Sequence, residues 1–439
     1  MRIQTCAVMA LLPLWAAAAE IPRPVLPAGV GVNIHFVTGH EQELDLIAAA
    51  GFKFVRMDFH WETIERRKGQ YDWAGYEELL ANLDKRGLRA ILILDYSHPL
   101  YERAVTSPDP LSHVPRRATA SPQNPESVAA FARWAAASAR HFRGRHVLWE
   151  IWNEPNGNFW APRPDAGQYT ALALATARAV READPRATII GPASSGFPWE
   201  FLETFLKSGV LEYLDAVSVH PYRNPHKAPE TAAADYARLR SLVERYAPAS
   251  KREQLPILSG EWGYSSFTHG VSLETQAAFA ARQQLSNLLN GVPLSIWYDW
   301  QNDGPDPNEN EHNFGTVLPD LTPKPAYTAI RTLTHELRGY RIVRQVACPG
   351  GEDYLLVCAG PGYRKKLVAW TLGEPHQVRV PITLFGRNRL SGTTSDGTCF
   401  KSRIDSGRLL LDLTPAPQYV DLRGAALNFP ARLSPPPPL

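Results

Sequence analysis

The sequence predicts an α/β fold, a (β/α)8 TIM barrel followed by a small C-terminal β-sandwich. Three observations predict it. Short apolar runs rich in β-branched residues alternate eight times with longer amphipathic stretches. Near Arg341 the helical periodicity stops and short strand-like runs separated by turns replace it. The first strand leads into Val37-Thr38-Gly39-His40, which is not the Gly-rich phosphate turn expected of a doubly wound open sheet.

In chain order the apolar runs place strands at residues 29–36, 52–59, 89–96, 146–153, 188–192, 216–220, 256–261 and 293–300. Helices follow at 41–50, 75–86, 125–142, 166–182, 199–207, 231–246, 272–290 and 325–337. Gly87 lies just past the second helix, where a left-handed terminating residue is wanted. The proline-rich loop 101–123 is expected to wall the cleft beside the third strand. In the C-terminal part, strands are expected at 354–359, 366–370, 376–380 and 409–413. The resulting layout is a leader at 1–19, a barrel at 20–340, a sandwich at 341–427 and a proline-rich tail at 428–439.

The leader reading rests on Met1-Arg2, the apolar run from Cys6 to Trp15 and the Ala17-Ala18-Ala19 cleavage site before Glu20. It predicts a periplasmic or secreted protein. An uncleaved anchor is the alternative, but the run is short for a bilayer. Behind the leader stand Cys348, Cys358 and Cys399, enough for one disulfide and one thiol. Cys348 and Cys358 would not face each other across a tight hairpin, so a bridge would use Cys399.

Lys and Arg number 46 against 44 Asp and Glu, a net charge of +2. No basic cluster is interleaved with aromatics, so nucleic acid is not an expected partner. No Cys/His spacing resembles a zinc site, and the polar stretch from Asp303 to Asn313 lacks the spacing of an EF-hand, so no metal or cofactor is expected. That stretch reads better as a rim loop touching substrate. The chain is expected to act as a monomer.

Barrel chemistry lies at the C-terminal ends of the strands, where the βα loops converge. Polar residues gather there. The stretch HVLWEIWNEPNGNFW, residues 146–160, ends its strand at Asn153-Glu154-Pro155. The seventh strand ends at Ser259-Gly260-Glu261-Trp262, the sixth at His220-Pro221-Tyr222, the eighth at Asp299-Trp300, and the second carries Arg56 and Asp58. A lone glutamate at a strand end is usually solvated or salt-bridged. Two of them facing each other across a barrel mouth suit glycoside hydrolysis, which needs one neutral carboxyl to protonate the leaving oxygen and one ionised carboxylate.

The supporting residues follow from this pairing. Asn153 can donate to a sugar hydroxyl. Tyr222, on the same strand face as His220, can hold Glu261 ionised through a hydrogen bond. Arg56 can do so by charge; its bland role is partner to Glu150, which shares the face of Glu154 by parity and lies deeper. His220 is either a binding residue or a satisfied structural histidine. Trp300 is expected as a platform beneath the sugar. Trp262, with Trp152, Trp160 and Trp297, is either a further sugar-stacking surface or core.

The motifs resemble those of a known group. Trp152-Asn153-Glu154-Pro155-Asn156 resembles the acid/base motif of the clan A glycoside hydrolases, and Leu258-Ser259-Gly260-Glu261-Trp262-Gly263 resembles their nucleophile strand. The segment from Phe54 to Trp61, with Gly69-Gln70-Tyr71-Asp72-Trp73 after it, resembles the second βα unit of family 39 and the related cellulase-like hydrolases. The layout of leader, barrel and β-domain is similar to that of exopolysaccharide-processing glycosidases of the Psl biofilm type. The resemblance implies retaining hydrolysis of a β-linked polysaccharide, Glu154 as acid/base and Glu261 as nucleophile. It also implies a bacterial exopolysaccharide substrate cut in endo fashion, and contact with polysaccharide biosynthesis and export machinery. Three readings compete: a non-hydrolytic carbohydrate-binding scaffold, a β-xylosidase-like exo-enzyme, and a metal-dependent barrel hydrolase, for which the strand ends hold too little histidine. Transglycosylation would use the same two glutamates.

Overall fold

The computed structural model describes residues 20–348, 351–384, 389–422 and 425–427. The leader and the proline-rich tail lie outside the described residues. Eight parallel strands close into a barrel: β1 Val30–Asn33, β2 Phe54–His60, β3 Arg89–Asp95, β4 Leu148–Ile151, β5 Thr188–Ser195, β6 Ala216–His220, β7 Ile257–Trp262 and β8 Ser295–Trp297. The outer helices are α1 Glu41–Ala49, α2 Ala74–Asp84, α3 Pro125–His141, α4 Ala166–Ala183, α5 Trp199–Leu206, α6 Ala233–Tyr246, α7 Leu273–Leu289 and α8 Pro325–Glu336. The expected fold class is the one observed.

Local chemistry explains the boundaries. Asn124 caps α3 by accepting from the Ser127 N–H at 2.9 Å, with Pro125 at the first helical position. Asp165 caps α4 through the Gln168 N–H at 2.9 Å, and Ser272 caps α7 through that of Thr275 at 3.1 Å. Past α2, Gly87 takes φ +62° while the Leu88 N–H returns to the Leu83 carbonyl, so a residue free to turn left-handed ends the helix.

The barrel floor is filled by Phe54, Ile91, Leu148, Ile190, Ala216, Leu258 and Ile296, one each from β2 to β8, with Leu294 just before β8, all of them buried. Outward residues of the same strands join the helices in the main core, as period-two alternation requires. The loop at 101–123 contains a hairpin, Ala104–Pro108 against Pro115–Thr119. Its strands are polar, largely exposed and edged by proline, so no apolar run announced them.

The C-terminal part is one nine-stranded antiparallel sheet: β9 Arg341–Val346, β10 Asp353–Ala359, β11 Lys365–Thr371, β12 His376–Leu384, β13 Arg389–Thr394, β14 Cys399–Asp405, β15 Arg408–Leu413, β16 Gln418–Asp421 and β17 Ala425–Leu427. The spatial order is β9-β10-β11-β16-β13-β14-β15-β12-β17. Leu355, Val357 and Leu367 from one end meet Val380, Ile382, Leu409 and Leu411 from the other in a single core, so the sheet folds over itself in sandwich fashion. The opposite face of β10 and β11 carries Leu356, Cys358, Val368 and Trp370 into the main core of the barrel. The sheet has more strands than the four expected from sequence because strands such as β14, which reads CFKSRID, are mostly exposed and polar. Cys348, Cys358 and Cys399 are all free thiols, so the bridge weighed for Cys399 is not formed. No helix among the described residues is long and apolar enough to cross a membrane.

Candidate active site

The site is built around Arg56. Alternation along β2 points Phe54, Arg56 and Asp58 inward, and Phe54 belongs to the floor. The Arg56 guanidinium stands one layer above it, 1% exposed. Its Nε donates to Glu150 Oε2 at 2.6 Å. Its Nη1 donates to Glu261 Oε2 at 2.6 Å and to Asn33 Oδ1 at 3.2 Å. Its Nη2 donates to Asn153 Oδ1 at 2.8 Å and to His220 Nε2 at 3.3 Å. Burial opposes the charge, but Glu150 and Glu261 outweigh it and hold the guanidinium protonated. The two roles weighed for Arg56, partner of Glu150 and counter-charge of Glu261, are thus both occupied.

This hub settles the state of His220, which is fully buried. Arginine only donates, so His220 Nε2 is the accepting nitrogen. The proton of the neutral ring then sits on Nδ1, which donates to Glu154 Oε1 at 2.9 Å. On the other carboxylate, the Tyr222 hydroxyl donates to Glu261 Oε1 at 2.8 Å. Burial, then the charge of Glu261, raises the Tyr222 pKa well above that of a free phenol, so it stays a donor. An oxygen of Glu154 and one of Glu261 lie within 4.8 Å of each other. Asn153 spends its oxygen on Arg56, which leaves its amide to donate to Tyr96.

Backbone irregularities aim both glutamates. Between β7 and β8 the register runs from Ser259↔Ser295 to Trp262↔Trp297, so β7 holds one extra residue there. Strict alternation from the inward Leu258 would turn Glu261 outward; the bulge turns it in. A second shift, between Pro192 and Ser194 on β5, frees Ala193. Ala193 accepts the Glu154 N–H at 2.9 Å. Trp152, Glu154 and Ala193 all have positive φ, at 68°, 46° and 53°, a local cost of order 1–3 kcal/mol each that the surrounding packing must hold. Asn156 locks the turn, accepting from the Ser195 N–H at 2.9 Å and donating to the Ser195 carbonyl at 3.0 Å. Gly260 is required by close approach, since a Cβ there would lie 3.0 Å from Glu150 Oε1 and 3.4 Å from the His220 ring.

Two predicted residues are placed elsewhere. Trp300 is 1% exposed, packs edge-on against Tyr327 and donates its Nε1–H to Glu43 at 2.7 Å. A ring that a water cannot reach offers no face to a sugar, so Trp300 is core and not a platform. Trp262 is fully buried for the same reason, as are Trp152, Trp160 and Trp297. A further aromatic at the mouth is Tyr298, half-buried, edge-on to His35 and Phe314 and close enough to Glu261 to feel its charge. Tyr298 and Trp300 lie two residues apart at the same strand end, and nothing local in the sequence marks which of them is left open to the mouth.

Also missed were two histidine–aspartate pairs flanking the hub. His35 Nε2 lies 3.3 Å from the buried Asp299, and His60 Nδ1 lies 3.4 Å from the buried Asp95. Burial, then neighbouring Asp58, pushes the Asp95 carboxyl well above the usual range. Burial pushes Asp299 up to about 7. Burial acts against the His35 charge, but the bond to Asp299 and the charges of Asp299 and Asp303 raise it to about 9. With Asp303 and Asp58 respectively these pairs reach metal-ligand spacing, as do Glu154, His220 and Glu261. In the loop after β8, burial and then the nearby charge of Glu261 raise Glu311, which places that side chain beside the glutamate pair.

A family model described as cellulase (glycosyl hydrolase family 5) matches residues 27–304. A β-xylosidase of Geobacillus stearothermophilus is 29% identical over 219 residues, 44% of this chain and 42% of that protein, so the match spans less than half of the relative's length. A family 39 glycoside hydrolase from the gut symbiont Bacteroides cellulosilyticus WH2 superposes with a TM-score of 0.75 at 26% identity, covering 90% of this chain and 81% of the other. A family 39 β-xylosidase from Caulobacter crescentus gives 0.64 at 20% identity over 92% and 98%, a likeness of fold.

Proposed function

Because the chain belongs to the cellulase family of glycosyl hydrolases, family 5, we propose that it is a retaining glycoside hydrolase acting on a β-linked polysaccharide. Glu154 is the acid/base and Glu261 the nucleophile. The observation that carries this reading is that an oxygen of Glu154 and an oxygen of Glu261 lie within 4.8 Å of each other across the barrel mouth. Retaining enzymes place theirs about 5–5.5 Å apart, and inverting ones leave roughly 6.5–9.5 Å for a water.

The hydrogen bonds suit two distinct roles. Tyr222 and Arg56 each hold one oxygen of Glu261, which fixes the carboxylate in position and aims it. In the first step a Glu261 oxygen bonds the anomeric carbon as the glycosidic C–O bond breaks, and the Glu154 proton goes to the leaving oxygen. In the second, water attacks the same carbon, its proton returns to Glu154, and the bond to Glu261 breaks. His220 Nδ1–H engages Glu154 Oε1, leaving Oε2 for the glycosidic oxygen.

The substrate we favour is a bacterial exopolysaccharide cut internally, by an enzyme exported through the leader at 1–19 and working beside polysaccharide export machinery. The β-xylosidase relative favours a second reading, exo-release of xylose. Mature protein would be tested on β-glucans, β-mannans, xylans, bacterial exopolysaccharides and a nitrophenyl β-xyloside, with Glu154→Gln and Glu261→Gln alongside. Expected are internal cuts in an exopolysaccharide, a first-formed product of retained anomeric configuration by NMR, and a loss of about 10²–10⁴-fold in Glu154→Gln. An inverted product would reject the retaining mechanism. Terminal xylose alone would replace endo action by the second reading. Binding without turnover in all three proteins would make the chain a carbohydrate-binding scaffold.

A further inference from the structure

A second concave site lies on the opposite face of the molecule. It forms where the C-terminal end of α8 meets the folded sheet, and it encloses about 810 Å³. Saccharide-sized ligands occupy pockets of about 300–1,000 Å³. Barrel helices run antiparallel to the strands, so the end of α8 is remote from the catalytic rim. The chain beyond it confirms this: the Gly339 N–H donates to the Leu26 carbonyl at 2.7 Å, and Leu26 precedes β1.

The lining has two parts. The floor is polar. The Glu336 carboxylate pairs with the Lys366 ammonium through Oε2 and accepts from the Thr393 hydroxyl at 3.1 Å through Oε1. Beside it the hydroxyl of Tyr419 is buried without a hydrogen-bond partner, near enough to Glu336 for that charge to act on it. The rim is mainly cationic, with Arg338, Arg364 and Lys401 all exposed and, among the described residues, Asp421 as the one acidic group beside them. Residues 341–427 as a whole carry 12 Lys and Arg against 7 Asp and Glu, a net positive charge.

We propose that this pocket binds an anionic saccharide, one whose ring hydroxyls meet the Glu336, Lys366 and Thr393 floor and whose carboxylates meet the rim. A floor with both donors and acceptors suits hydroxyls, and guanidinium groups suit carboxylates. The site does not depend on the catalytic reading, and it gives the enzyme a hold on an acidic glycan separate from the bond being cut.

The test uses the full mature chain as Glu261→Gln, so that turnover does not intervene, titrated calorimetrically with oligogalacturonate, xylo-oligosaccharide of equal length, and inorganic phosphate. Oligogalacturonate is expected to bind one-to-one. The further change Arg338→Ala with Lys401→Ala is expected to weaken it at least about tenfold, the value of one charged hydrogen bond. Both side chains are exposed, so the melting temperature is expected to stay the same. Absence of oligogalacturonate binding would overturn the proposal, as would equal affinity for the neutral oligosaccharide, phosphate binding as tightly, or full affinity in the double variant.

Discussion

Arg56 carries more of the site than either glutamate, because it neutralises Glu150 and Glu261 together while organising Asn33, Asn153 and His220. Glu150 has no exposure and depends on it. Arg56→Met is therefore expected to cost about 3–5 kcal/mol by leaving a buried carboxylate unpaired. Adding Glu150→Gln should recover much of that loss in denaturant melts without recovering activity. Both partners of the His35–Asp299 pair have raised pKa values, and the two signs agree. His35 at about 9 contributes stability that is complete below its unfolded value of about 6.5 and is lost as pH rises through 9. Asp299, raised from about 3.8 to about 7, contributes stability that is complete below 3.8 and is lost as pH rises through 7. The melting temperature should fall from pH 6.5 to 9, and Asp299→Asn should flatten that slope. An unchanged slope would show that this pair does not set it.

At the scale of elements, the barrel supplies position and the irregularities supply direction. The bulge in β7 turns Glu261 inward, and the bulge in β5 provides the carbonyl that fixes Glu154. Neither departs from the strand pattern in composition, which is why alternation alone could locate the strand ends but not the aim of their side chains. Asn156 joins the two ends by its reciprocal bonds to Ser195. Asn156→Ala should cost about 1–3 kcal/mol, since both Ser195 backbone groups lose their partner. It should also lower kcat more than it raises KM, because Glu154 is carried by that turn. An effect on stability alone would mean that the turn holds its shape without the tie.

Across the whole molecule, the barrel and the sheet share one core. Trp370 is fully buried, stacks on Tyr354 and donates its Nε1–H to Glu230 at 2.9 Å, while Glu230 also makes a bidentate pair with Arg282 at 2.8 Å. Trp370→Ala is expected to cost about 3–5 kcal/mol. Unfolding should remain a single transition seen equally by near-ultraviolet and far-ultraviolet dichroism. Two separated transitions would mean that the sheet and the barrel unfold independently.

How much of this was legible depended on the range of the interaction. The eight strands and helices were legible because each is specified within a dozen residues by periodicity, caps and glycine. The glutamate pair was legible because barrel topology brings every strand end to one rim, so Asn153-Glu154 and Gly260-Glu261 had to meet. The β4 alternation even implied a buried Glu150 in need of a cation, and Arg56 is that cation. The fate of Trp300 was decided only in three dimensions, since burial depends on Glu43 and Tyr327, far away in the chain. So were the proton position on His220, the inward turn of Glu261 and the pocket beside Glu336. Each is fixed by contacts between segments distant in sequence, and local pattern carries no record of which of several polar residues will be the neighbour.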